Sequence, residues 1–229
     1  MNPWKVVDGS FENIRIIEKR LLETIHDAIP ELKDQTDGNR TKILKYKLIN
    51  LADEFNSKVY ANNLGNYRSK VKKQFIDTEF MFDLHWYDEP PNTDFQTLNI
   101  RLAMECEWSR HRKIKKTDNK EKDRIKKQKE MEIDYTAVKY DFQKLTLVNP
   151  EISLMIFKIL RLEHFEKMFH YFQETIENCK QTNAGSRYLI IAYYNQDKNW
   201  YFFLKEKGIM LTTSSSCFWD KPKNSLTQC

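Results

Sequence analysis

Apolar residues along this chain change period several times, and each change marks an element. From Phe11 onward they fall at Ile14, Ile17, Leu21, Leu22, Ile25 and Ala28, the three-to-four spacing of one helical face. Ser10 stands where a capping side chain would, and Pro30 where the helix is expected to stop. Asp34 to Arg40, containing Asp37-Gly38, has the composition of a polar loop. A second helical stripe runs through Leu44, Leu48, Leu51, Phe55 and Val59 and ends at Asn62 to Gly65. A short edge strand is expected through Phe75 and Ile76.

The period then falls to two, the repeat of a strand. From Glu79 to Tyr87, Phe80, Phe82, Leu84 and Trp86 oppose Met81, Asp83 and His85. From Leu98 to Trp108, Leu98, Ile100, Leu102, Met104, Cys106 and Trp108 oppose Asn99, Arg101, Ala103, Glu105 and Glu107. Asp88 to Asp94, with Pro90-Pro91, joins the two runs as a loop, so an antiparallel hairpin is expected. Helical spacing returns at Tyr135, Val138, Phe142 and Leu145, with Asp134 placed to cap and Asn149-Pro150 to close. Leu154 to Leu160 is a buried-strand run, and Glu163 to Cys179 is an amphipathic helix. Tyr188–Tyr194 and Trp200–Leu204 form a strand pair about a turn at residues 195–199.

The expected fold class is therefore α/β, a mixed sheet flanked by helices. An extra helix precedes the core, and a helix plus a strand pair follow it. Residues 1–212 make one domain, and 213–229 are a polar tail.

Charge changes this picture locally. The 229 residues carry a net +5, but Arg110 to Lys129 holds eleven Lys/Arg against Asp118, Glu121 and Asp123, a net +8. The rest of the chain is then +5 − 8 = −3. A basic insertion over about 110–132 beside acidic strands suits a polyanionic partner; a solvated helix or a disordered insertion is the alternative. Five glycines and no GxxxxGK[ST] or GxGxxG pattern argue against a phosphate loop. Cys106, Cys179, Cys217 and Cys229 lack zinc spacing and fit a reduced compartment. No apolar run is long enough to span a bilayer, and Met1-Asn2-Pro3-Trp4-Lys5 lacks an apolar signal core, so a cytoplasmic location is expected.

The chemistry concentrates in Asp83 and in Glu105-Cys106-Glu107. Carboxylates presented together by adjacent strands can hold Mg2+, which takes one or two of them plus water and phosphate oxygens. Asp83 and Glu105 are the candidate metal ligands, with the Cys106 backbone carbonyl as a further one. Glu107 is placed to hold a second ion or to take a proton from a water. The plain alternative is that alternating acids on a strand face solvent. His85 shares the face of Asp83, either touching a phosphate or a metal or serving structure alone. Trp86 and Trp108 fall on core faces, and Arg101 is set to pair with an acid.

Four ordered blocks carry a family resemblance: Phe82-Asp83-Leu84, Leu102-Ala103-Met104-Glu105-Cys106-Glu107-Trp108, Asp141-Phe142-Gln143-Lys144-Leu145, and Leu154-Met155-Ile156-Phe157. Together they resemble the PD-(D/E)XK nuclease superfamily, the restriction-endonuclease-like fold, over about residues 41–160. The resemblance implies an αβββαβ core and a metal-dependent DNA endonuclease using Mg2+, with Mn2+ as a substitute. It implies double-stranded DNA as partner and a homodimer, since cutting both strands needs two sites. Asp83 matches the first metal aspartate and Glu105 the second acid. Glu107 departs from the family pattern, which usually has lysine there. Some members supply the lysine from the following helix, which makes Lys144 the candidate and Lys139 a lesser one; an ordinary i,i+3 pair of Lys144 with Asp141 is the alternative. Glu54 is the acid the preceding helix would add. Arg110, Arg112, Lys113, Lys115 and Lys116 would contact DNA phosphates. The missing lysine motivates a rival reading, in which the same scaffold has lost catalysis and serves as a nucleic-acid-binding or protein-interaction module.

Overall fold

The computed structural model of the chain describes residues 4–6, 14–78, 81–89, 99–109, 135–194, 196 and 198–207. Its strands are β1 (Trp4–Val6), β2 (Lys58–Ala61), β3 (Ile76–Asp77), β4 (Leu84–Asp88), β5 (Asn99–Glu107), β6 (Ile152–Ile159), β7 (Arg187–Tyr194) and β8 (Asn199–Glu206). They form one eight-stranded sheet in the order β1-β8-β7-β6-β5-β4-β2-β3. β2, β4 and β5 pair antiparallel, whereas β5, β6 and β7 run parallel. The hairpin expected between the two acid-bearing runs is present as β4–β5.

Helices α1 (Ile16–Leu32), α2 (Asp37–Leu51), α3 (Thr136–Val148) and α4 (Leu162–Asn178) cover the sheet. Period-two alternation in the strands divides the core between two layers. Leu102, Met104 and Trp108 pack with Leu21, Ile25, Leu44 and Leu48 of α1 and α2. Ala103, Met155 and Phe157 pack with Phe142, Phe169 and Phe172 of α3 and α4. Helices on both faces make this an α/β fold, and they explain why β6 and β7 read as unbroken apolar runs: neither face of these strands meets water.

Several local expectations change in the folded chain. Helix α1 runs past Pro30 to Leu32. The proline falls in the last turn, where Lys33 N–H still reaches the Ile29 carbonyl (3.1 Å) and Leu32 is buried. Ser10 lies outside the described residues; the first turn is closed instead by Glu18, whose Oε2 accepts from Arg15 N–H at 2.8 Å. Asp37-Gly38 belongs to α2 rather than to a loop, because Thr36 caps that helix through Asn39 N–H and Asp37 suits its positive end. The second helix stops at Leu51, not near Val59. After a 3-10 turn over Ala52–Phe55, Asn56 takes a left-handed conformation (φ 50°) and Val59 enters β2. β1 and β2 were not expected, and both are too short to show a period. β4 begins at Leu84, so Asp83 sits in the bend before the strand. Asn149, at φ 51°, closes α3 as expected. Asp134, the charged insertion and the polar tail lie outside the described residues.

Candidate functional site

The β4–β5 register pairs Leu84 with Met104 and His85 with Ala103. One step further along this antiparallel ladder, Asp83 stands across from Glu105. Asp83 is fixed from two sides. Its Oδ2 accepts from the Cys106 backbone N–H at 2.9 Å, and its Oδ1 lies 2.9 Å from Lys45 Nζ of α2. Lys45 is only 2% exposed, and it also donates to Asn62 Oδ1 (2.9 Å) and the Asn62 carbonyl (3.3 Å). The aspartate is thus bound into the junction of α2, β4 and β5.

Glu105 leans toward the α3 layer, while Asp83 remains close enough for its charge to act on it. At 3% exposure it is buried, which removes the solvent-facing alternative for this residue. Its Oε1 lies 2.5 Å from Lys144 Nζ of α3, and the same ammonium lies 2.9 Å from Asp141 Oδ1. Lys144 therefore makes both contacts weighed for it, the link to the acid strand and the i,i+3 pair. Burial, with the neighbouring Asp83 charge added, pushes the Glu105 carboxyl up to about 8 against the pull of Lys144. Burial pulls the Lys144 ammonium down, but its contacts with Glu105 and Asp141 outweigh that and move it up. The two shifts conflict: a raised carboxyl favours a neutral acid, whereas a raised ammonium favours a fully charged pair. The upward shift of Glu105 has the firmer cause, because Lys144 divides its charge between two carboxylates while Glu105 is desolvated beside other acids.

Glu107 follows on the same face, half-buried, with its Oε1 accepting from Ser109 N–H at 2.6 Å. Burial raises its carboxyl; the Ser109 contact opposes this, and Asp141 and Asp83 add to it. Cys106 turns the other way and packs against the α1–α2 layer. Its backbone N–H is the group that engages Asp83.

Other candidates lie elsewhere. Glu54 binds Arg20 through both carboxylate oxygens (2.7 and 2.9 Å), which takes it out of the centre. Lys139 lies over the Tyr171 ring, 5.0 Å from its centroid. His85 is buried and stacked on Tyr60 at 4.9 Å, and burial lowers its imidazole to about 4, a structural placement. Arg101 pairs with Asp88 at 3.2 Å and donates to the Phe55 carbonyl at 2.8 Å. Trp86 and Trp108 are core residues as expected, and Trp108 Nε1 also donates to Thr41 Oγ1 at 2.7 Å. Arg110, Arg112, Lys113, Lys115 and Lys116 lie outside the described residues.

Three members of the centre were not anticipated in it: Lys45, Asn62 and Asp141. Lys45 had one usable signal, a charge adjoining Leu44 in an otherwise apolar stripe. Asn62 had none beyond its loop position. Asp141 was visible only as the neighbour of Lys144.

Among the described residues, no three His, Cys, Asp or Glu side chains are gathered closely enough to hold a metal ion. The donor chemistry nevertheless fits a hard cation. Asp83, Glu105, Glu107 and Asp141 offer oxygen only, and two ammonium groups face four carboxylates. The raised Glu105 carboxyl reflects its burial first, with the Asp83 charge adding to it. A larger cleft of about 770 Å³ at the β2–β3 edge contains none of these acids; its Lys58 pairs with Glu89 and its Lys73 with Asp53. Among the described residues, no helix is long and apolar enough to cross a membrane. Comparisons of the chain with protein-family models, with curated proteins and with solved structures give no match in any of the three.

Proposed function

We propose that this protein is a metal-dependent DNA endonuclease of the PD-(D/E)XK type, active with Mg2+ or Mn2+. The observation that carries the proposal is the buried Glu105, set across from Asp83 at the mouth of the β4–β5 hairpin and reached by Lys144 from the following helix. Once the two-residue edge strand β3 between β2 and β4 is set aside, the succession α2, β2, β4, β5, α3, β6, with antiparallel, antiparallel and parallel pairing, supports the reading because it then follows an αβββαβ order.

In this reading Asp83 and Glu105 would hold the ion, with the Cys106 carbonyl as a further oxygen donor. A bound divalent ion polarises the phosphate and lowers the pKa of water. Glu107, its carboxyl raised by burial, would take a proton from the attacking water. Lys144, freed from Glu105, orients that water or a phosphate oxygen. The water oxygen bonds to phosphorus as the bond to the leaving ester oxygen breaks. Arg110, Arg112, Lys113, Lys115 and Lys116 engage the backbone phosphates of a DNA duplex. A cytoplasmic protein acting as a homodimer fits such a role.

One observation favours a second reading, in which the scaffold binds nucleic acid or protein without cutting. Lys45 and Lys144 already neutralise Asp83 and Glu105 in part, as they would in a centre that takes no metal. Plasmid cleavage with Mg2+ or Mn2+ separates the two. Wild type should nick or linearise DNA, and Asp83→Asn and Glu105→Gln should each lose at least about a hundredfold, the scale of losing a main electrostatic element. Cutting that persists in both variants removes the site assignment. Binding without cutting in wild type selects the second reading.

A further inference from the structure

Beside the acid centre, α2 and the 3-10 turn over Gly65–Lys70 enclose a cleft of about 340 Å³. Asn39, Lys42, Gly65, Asn66, Tyr67 and Lys70 line it, and no carboxylate is among them. We propose that this cleft is a phosphate subsite for the substrate strand; the inference rests on the nuclease reading above.

Three observations converge on an anion. The first is that the two ammonium groups are held without being neutralised. Lys42 makes no ion pair among the described residues. Lys70 lies over the stacked rings of Tyr67 and Tyr46, 5.0 and 5.4 Å from their centroids. Aromatic faces position a cation but leave its charge available to a ligand. Glu31, which feels the Lys70 charge, is already bound by Lys47 and by the Tyr46 hydroxyl at 2.5 Å.

The second is the backbone at Gly65, which takes φ +52°. A Cβ there would sit 3.4 Å from Lys42 Nζ, so glycine both permits the turn and leaves the ammonium room above it.

The third is continuity with the acid centre. Lys42 precedes Lys45 by three positions on α2, so the two share a face. Lys45 reaches Asp83, and its other partner, Asn62, leads directly into the turn that carries Gly65. Three residues of helix rise about 4.5 Å. The roots of Lys42 and Lys45 therefore lie close together on α2, and the ligand proposed is a phosphodiester of a polynucleotide whose neighbouring phosphate lies at the acid centre.

The test measures binding of a short DNA duplex by fluorescence anisotropy in EDTA at several salt concentrations, so that it does not depend on cleavage. The double variant Lys42→Gln/Lys70→Gln should bind with a salt slope shallower by about 1.8, the loss of two phosphate contacts. Lys167→Gln/Lys180→Gln, which removes equal charge from exposed positions on and after α4, should keep the wild-type slope. Circular dichroism melts check that both variants are folded. An unchanged slope in the first variant, equal losses in both, or no duplex binding by wild type overturns the subsite. A shallower slope in the first variant alone supports it even where wild type fails to cut, in which case the catalytic reading falls and the subsite stands.

Discussion

Glu105 is an acid the fold keeps from ionising. Burial and the charge of Asp83 raise its carboxyl to about 8, from an ordinary value of 4.5. The sign of the consequence follows directly. Between those values the unfolded chain has released the proton and the native state still holds it. Native stability therefore falls as pH rises from about 4.5 to 8, the reverse of a salt-bridged carboxylate with a depressed pKa. In EDTA, wild type should lose on the order of 3 kcal/mol more than Glu105→Gln between pH 5 and pH 8, by urea denaturation. Equal losses would show that Glu105 ionises normally. The pattern Glu105-Cys106-Glu107 was legible from the strand period, because alternation fixes which side chains share a face. Burial of Glu105 was not legible, because it depends on α3 lying over β5, and sequence spacing does not report which helix covers which strand. The same limit hid Lys45, whose partner Asp83 is far from it along the chain.

At the scale of elements, α1 is anchored by one buried ion pair. Arg187 on β7 donates from Nε and from one terminal nitrogen to the two Glu18 oxygens, both at 2.7 Å, and also pairs with Glu206 on β8. Glu18 is fully buried and accepts in addition from Arg15 N–H, so a single carboxylate both closes the helix and ties it to the sheet. Glu18→Ala removes both of these bonds from the buried Arg187 guanidinium and should cost about 3 to 5 kcal/mol, measured as a shifted denaturant midpoint. A loss below about 1 kcal/mol would mean that apolar packing alone seats the helix. Long elements with strong periodicity, such as α4, β6 and the β7–β8 pair, matched their expected spans to within about two residues. Among the described elements below about five residues, the edge strand β3 was legible at Phe75-Ile76, whereas β1 and β2 were not. β2 was absorbed into the preceding helical stripe because Val59 happens to continue it.

The whole molecule is two apolar layers on one sheet, and the acid centre touches both. Lys45 and Asp83 connect it to the α1–α2 side, Glu105 and Lys144 to the α3–α4 side. A cation bound there would hold the layers together and stabilise the fold as a unit. At about a hundred times its dissociation constant, a ligand specific for the native state adds roughly 2.7 kcal/mol. For a chain of this size, Mg2+ should raise the melting temperature of wild type by roughly 5 to 10 °C, and EDTA should reverse the gain. Asp83→Asn should show almost no rise. An equal rise in that variant would place the ion elsewhere.

The Glu18–Arg187 pair joins residues 169 positions apart, and β1 pairs with β8 across a still longer span. Contacts of such long range cannot form until most of the chain has left the ribosome. Helix α1 can pack on α2 once both have emerged, but its tie to the sheet through Glu18 must wait for β7, long after the helix itself can wind. Slow assembly and a need for protection from aggregation during synthesis follow from this topology. A refolding experiment should find α2, β4 and β5 protected from hydrogen exchange before α1 is.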